Sequence, residues 1–96
     1  MKNYKAIEKT LKRHKTTLKK NFNVKKIGVF GSYAKGKESK RSDVDILVEF
    51  SEPIGWEFFD LKEFLETVLN KKVDLVTVNA IKPQLKEKIL NEIIYA

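Results

Sequence analysis

Residues 31–48 read GSYAKGKESKRSDVDILV: a Gly-Ser turn, a polar and basic stretch, then Asp43 and Asp45 at the head of an apolar run. Successive side chains of a strand alternate faces, so the two aspartates point the same way, with Cα atoms roughly 6.5 to 7 Å apart. Such a pair is placed to share metal, because magnesium ions bridged by carboxylates lie about 3.5 to 4 Å apart in phosphoryl-transfer sites. Val44, Ile46, Val48 and Phe50 then share the opposite face, which reads as the buried side. Glu49 is on the aspartate face but roughly 13 Å from Asp45, which makes it a weaker ligand candidate.

Working outward, Tyr4, Ile7, Leu11, His14 and Leu18 recur at helical spacing and predict an amphipathic helix from about residue 3 to 20. A short strand over about 25–30 runs into Gly31-Ser32, where a helical turn opens. The aspartate strand spans about 43–50 and is broken by Ser51-Glu52-Pro53-Ile54-Gly55. Trp56, Phe58, Phe59, Leu61, Phe64, Leu65, Val68 and Leu69 describe a broad apolar helix face. A third strand, Lys72 to Val78, and a closing helix from Pro83 to about 94 complete the chain. The pattern predicts a single α/β (α+β) domain over 1–96, with a three-stranded mixed sheet and helices mainly on one face. With 96 residues, it buries roughly 60 to 65 % of the surface its unfolded chain exposes.

In Val73-Asp74-Leu75-Val76 an acid interrupts an apolar strand, where an unpartnered buried carboxylate is costly. If this strand lies beside the second, Asp74 joins Asp43 and Asp45 on one open face. Three such carboxylates hold one metal firmly and a second through water and substrate phosphates. Gly31 permits unusual dihedrals and close backbone approach, and Ser32 offers a hydroxyl and a backbone N–H at a helix start, where anions are favoured. Lys35, Lys37, Lys40 and Arg41 lie between that grip and the carboxylates, within reach of a triphosphate.

The net charge of +7 is unevenly distributed: residues 1–41 carry fourteen Lys or Arg against two Glu, residues 42–96 six against eleven acids. A basic half ahead of an acidic one suits a protein that draws polyanions toward a carboxylate-metal centre. Eighteen of the twenty basic residues are Lys, a common filler of solvated helix faces, so many of them need no further role. The absence of cysteine excludes a disulfide framework and a thiolate metal site. The N-terminal residues lack the apolar core of a signal peptide and no apolar run approaches membrane-spanning length, so a cytoplasmic protein without a membrane partner is expected.

Gly-Ser, a spacer, Asp-x-Asp and a later strand aspartate, in that order, resemble the polymerase-β-type nucleotidyltransferase superfamily. More narrowly, the chain is similar to the minimal nucleotidyltransferase antitoxins encoded beside HEPN-domain toxins. The likeness runs from Lys26 to Val78 and extends through the Asn79-Ala80-Ile81-Lys82-Pro83 turn and the final helix. It implies Gly31 and Ser32 for the triphosphate, Asp43 and Asp45 for two magnesium ions, with manganese as a substitute, and Asp74 for the metal that activates the acceptor. Lys35 stands where the family usually has Arg, which removes the bidentate fork at that point, and Arg41 is a further nucleotide-binding candidate. The implied activity is transfer of AMP from ATP to a tyrosine of a HEPN-type RNase toxin, which silences it. The added helical domain of larger members has no room in 96 residues, so the acceptor brings its own docking surface. The alternative is a nucleotide-binding antitoxin that masks its partner without chemistry. A nucleic-acid-binding domain explains the basic half but leaves the aspartates without purpose.

Other residues carry plainer readings. His14, on the apolar stripe of the first helix, reads as a packed core residue. Trp56, Phe58, Phe59 and Phe64 read as core, with some rings left for a partner. Tyr33 either stacks on a base or covers the sheet edge.

Overall fold

A computed structural model of the protein describes residues 3–96, so Met1 and Lys2, at the head of the expected domain, lie outside the described residues. The elements are α1 (Asn3–Arg13), α2 (Lys15–Phe22), β1 (Val24–Phe30), α3 (Gly31–Lys35), β2 (Val44–Phe50), α4 (Glu57–Leu69), β3 (Val73–Thr77), a 3-10 turn (Val78–Ala80), α5 (Pro83–Glu92) and β4 (Ile94–Tyr95). The sheet order is β3-β2-β1-β4. β2 runs antiparallel to β1 and parallel to β3, and β4 is antiparallel to β1. This is the α+β fold with a mixed sheet that the sequence predicts, but with four strands where three were expected.

Alternation along the strands builds the core. Val44, Ile46 and Val48 of β2 join Ile27 and Val29 of β1 and Val73 and Leu75 of β3 in one apolar cluster. Ile7 and Leu11 of α1, Leu18 of α2 and Leu61 and Leu65 of α4 cover that face. α4 closes on Asn70 in the left-handed conformation (φ 54°), which permits the sharp return into β3. Val68 and Leu69 finish half-buried.

The first helix departs from expectation at His14. Its N–H is shared between the carbonyls of Thr10 and Leu11, each at 3.2 Å, and its Nδ1 bonds the Thr10 carbonyl at 3.0 Å. The Thr10 hydroxyl itself donates back to Ala6 O at 3.0 Å. Side chains that compete for helix carbonyls in this way bend a helix, and the run divides into α1 and α2. The His14 ring also meets Phe64 edge-on at 5.5 Å, the packing role expected of it.

The fourth strand replaces the expected end of the closing helix, which stops at Glu92. Gly28 explains why. Ile93 passes directly over it, and a Cβ at Gly28 would stand 2.7 Å from the Ile93 side chain and 3.1 Å from Ile94 O. Pairing of Gly28 with Tyr95, and an Ala96 N–H bond to Ile27 O at 2.9 Å, seat the strand. Leu47, opposite Gly28 in the β1–β2 register and only 2 % exposed, is buried on this second face, outside the main cluster. Substituting Gly28→Val forces this contact apart, so a loss of about 1 to 3 kcal/mol in chemical denaturation is expected. Hydrogen exchange should show lost protection at the Ala96 amide, while α1 and α4 keep theirs.

Candidate active site

The ends of β1, β2 and β3 that carry the polar residues lie at one edge of the sheet. Parallel pairing aligns Val44 with Val73 and Asp45 with Asp74, and antiparallel pairing sets Phe30 opposite Asp45. Asp45 and Asp74 are therefore direct neighbours on the face turned away from the main core. Asp74 is exposed, so its place in an apolar strand reflects alternation rather than a buried charge in need of rescue. Asp43 precedes β2 and is also exposed.

The turn that follows β1 is fitted to Asp45. Gly31 has φ +72°, and a Cβ there would overlap the Asp45 carboxylate and stand 3.0 Å from its Cγ. Both the dihedral and the close approach exclude a larger residue. Gly31 opens α3, with Ser32 half-buried in its first turn. α3 ends after five residues at Gly36, φ +71°, and the Lys37 N–H returns to Ser32 O at 2.9 Å. Serines then fold the loop: the Ser39 N–H donates to Ser42 Oγ at 2.9 Å and the Ser42 N–H to Ser39 O at 3.1 Å. That turn delivers Asp43 to the sheet edge and leaves Lys40 and Arg41 exposed beside it.

Electrostatics mark Asp45 as the strained member. Burial, the neighbouring carboxylates of Asp74 and Asp43, and a hydrogen bond with Asp74 push its pKa up to about 6. Among the described residues, no three His, Cys, Asp or Glu side chains form a ready-made metal cage. Magnesium does not ask for one, since it keeps waters and binds through one or two carboxylates plus substrate phosphates. A hard, all-oxygen donor set built around an Asp45 carboxylate that resists ionisation fits such a cation.

The remaining sequence candidates divide. Lys35 is drawn away from the grip into an ion pair with Glu92 of α5, Nζ to Oε1 3.2 Å. Glu49 pairs with Lys25 at 3.6 Å at the far end of β2. Tyr33 is 3 % exposed and packs in the core, which removes it as a freely stacking base partner. Sequence reasoning passed over Lys71 and Lys72. They line one cleft of about 470 Å³ together with Tyr33, Lys40, Arg41 and Asp43. The signal in the sequence was their place at the head of the strand that carries Asp74.

A family model, the nucleotidyltransferase domain, matches residues 11–96. The chain belongs to that family. A Methanocaldococcus jannaschii relative described as a protein adenylyltransferase is 50 % identical over 84 % of this chain and 95 % of its own length. The protein adenylyltransferase MntA of Thermococcus cleftensis is 44 % identical over 93 % of this chain and 91 % of its own. Among solved structures, a minimal nucleotidyltransferase matches with TM-score 0.76 and 33 % identity, covering 92 % of this chain and 93 % of that one. The fold is also that found, at TM-score 0.60 and 22 % identity, in a complex of tri-AMPylated Shewanella oneidensis HEPN toxin with MNT antitoxin, covering 99 % and 71 %. The protein is thus an enzyme of the nucleotidyltransferase class, in its minimal form. Among the described residues no helix is long and apolar enough to cross a membrane.

The crowding of Asp45 sets a pH dependence for the metal-free nucleotidyltransferase. The folded pKa of about 6 exceeds the unfolded value, about 3.9. The Asp45 contribution is therefore fully present below about pH 4 and is lost as pH rises through about 6. Asp45→Asn, which keeps the shape without the charge, should raise the thermal midpoint over wild type at pH 8 in chelator. At pH 4 the two midpoints should coincide; an equal gain at both pH values would refute the account from burial and neighbouring acids.

Proposed function

We propose that this nucleotidyltransferase transfers AMP from ATP to a tyrosine of a HEPN-domain RNase toxin and so acts as its antitoxin. The observation that carries the reading is the Asp45–Asp74 pair beneath Gly31, two carboxylates held together at the mouth of a turn shaped for close approach. The protein adenylyltransferase relatives and the HEPN–MNT complex that shares the fold support the same reading. The cytoplasm, where such an RNase finds its substrate, is the proposed location.

In the reaction the tyrosine oxygen bonds to the α-phosphorus, and the bond from that phosphorus to the oxygen bridging to the β-phosphate breaks. Pyrophosphate leaves, and the hydroxyl proton passes to a carboxylate oxygen of Asp74. Asp43, Asp45 and Asp74 would hold magnesium, two ions on this reading, which when bound would supply positive charge to the phosphates and favour hydroxyl attack. Without it, the carboxylates repel the triphosphate they are placed to orient. Gly31 lets the Asp45 carboxylate close onto the backbone, and Ser32, next in the turn, offers its hydroxyl and N–H to the phosphate.

The acceptor needs a docking surface, and the start of α4 offers one. Trp56 is 83 % and Phe59 59 % exposed, their rings 5.8 Å apart. Phe58, in contrast, packs against the core. Glu52, Glu57, Asp60 and Glu63 lie around these rings in sequence and are all exposed, giving a basic protein an acidic aromatic corner.

Two experiments test the reading. With α-labelled ATP, magnesium and a HEPN partner, wild type should label the partner, and Asp43→Asn should lose about a hundredfold or more in rate. Because Asp43 is exposed, its melting curve should shift little, within about 0.5 kcal/mol. Toxin neutralised equally by both proteins, with no label on either partner, would replace catalysis by stoichiometric masking. Separately, Trp56→Ser with Phe59→Ser should weaken the complex by about 2 kcal/mol or more in calorimetry. Undiminished affinity would move the docking surface elsewhere.

A further inference from the structure

We propose that Lys71 and Lys72, with Lys40 and Arg41, bind the β- and γ-phosphates of the nucleotide and hold the pyrophosphate that leaves. The inference rests on the nucleotidyl-transfer reading and adds to it a binding wall from the chain segment before β3. The turn after α4 and the loop after α3 are distant in sequence but joined at the sheet edge. The Val44 N–H donates to Lys72 O at 2.9 Å, which locks Lys72 beside Asp43. The cleft between them is lined by four cations, Lys40, Arg41, Lys71 and Lys72, and one carboxylate, Asp43.

Several features point to a phosphate chain rather than to general surface basicity. None of the four cations is ion-paired with another described residue, whereas Lys35, nearest the Gly31-Ser32 turn, is already engaged by Glu92. Lys37 is likewise outside any of these ion pairs, and this cluster beside Asp43 adds four further cations to the positive charge available to a triphosphate. The floor is the buried Tyr33 ring, and the Lys71 ammonium stands 5.8 Å from its centroid, which directs that flexible side chain over the cleft. Clustered cations beside a metal-binding carboxylate suit a ligand that bridges both, as the β- and γ-phosphates do when the α-phosphate lies at Asp45 and Asp74. As the α-phosphorus–oxygen bond breaks, negative charge accumulates on the departing pyrophosphate, and cations placed there stabilise it.

The test uses inorganic tripolyphosphate, ATP and AMP as probes, each with magnesium, on wild type, Lys71→Ala/Lys72→Ala and Lys71→Arg/Lys72→Arg. In calorimetry the alanine variant should lose about tenfold or more in affinity for tripolyphosphate and for ATP. Its affinity for AMP should not change, and the arginine variant should recover most of the loss. All the substituted side chains are exposed, so unchanged melting curves are expected and verify folding. Wild-type and alanine variants that bind tripolyphosphate and ATP equally would overturn the proposal while leaving the transfer reaction intact. Parallel weakening of ATP and AMP would also overturn it, because the cleft would not be reading the outer phosphates. Failure of wild type to bind ATP at all would remove the nucleotidyl-transfer reading, and tripolyphosphate binding alone would then identify the cleft as a plain polyanion site and end the proposal. Displacement of tripolyphosphate by single-stranded RNA but not by ATP would have the same consequence.

Discussion

The chemistry proposed for this molecule depends on one contact that is unfavourable by itself, the Asp45 carboxylate held against Asp74. Two strands running parallel in register leave these side chains no other arrangement, and Gly31 closes over the top. Burial of the Asp45 carboxylate, together with its acidic neighbours, costs stability when it ionises, and a raised Asp45 pKa is the form that cost takes. The opposite face of the same strand is where the fold recovers it. Val44, Ile46 and Val48 are wholly buried, and α4 contributes Leu61 and Leu65 with no exposure at all. A strand so firmly seated on one side can hold an electrostatically poor arrangement on the other, the usual trade of stability for function.

What the sequence made legible follows from what is local or periodic. Alternation in β2 assigned Val44, Ile46 and Val48 to the core and the aspartates to the other face. The αL turn at Gly31 and the start at Pro83 were likewise written in residue type. The illegible parts are those decided by distant partners. β4 is two residues long and carries no strand pattern of its own; its place is determined by the missing side chain at Gly28. Lys35 looked free for phosphate because its partner, Glu92, lies in a helix at the other end of the chain. Lys71 and Lys72 read as ordinary solvated lysines until parallel pairing set them beside Asp43. The division at His14 arose from side chains competing for single carbonyl groups, which helical periodicity does not register.

The uneven charge, which looked like a contrast between two halves of the chain, has a more specific spatial meaning. Cations from both halves, Lys40 and Arg41 from one and Lys71 and Lys72 from the other, meet at the carboxylate edge. Acids with Trp56 and Phe59 occupy the start of α4, which follows the far end of β2, away from the aspartates at its head. Under the proposed function, substrate and partner therefore face patches of opposite sign. Such charges repel a polyanionic nucleotide from the acidic aromatic corner and attract it to the cleft, and they steer basic surfaces the other way. On the proposed reading, this segregation keeps the docking surface from competing for the nucleotide, and would let the acceptor hydroxyl reach the carboxylate edge without displacing phosphates held there.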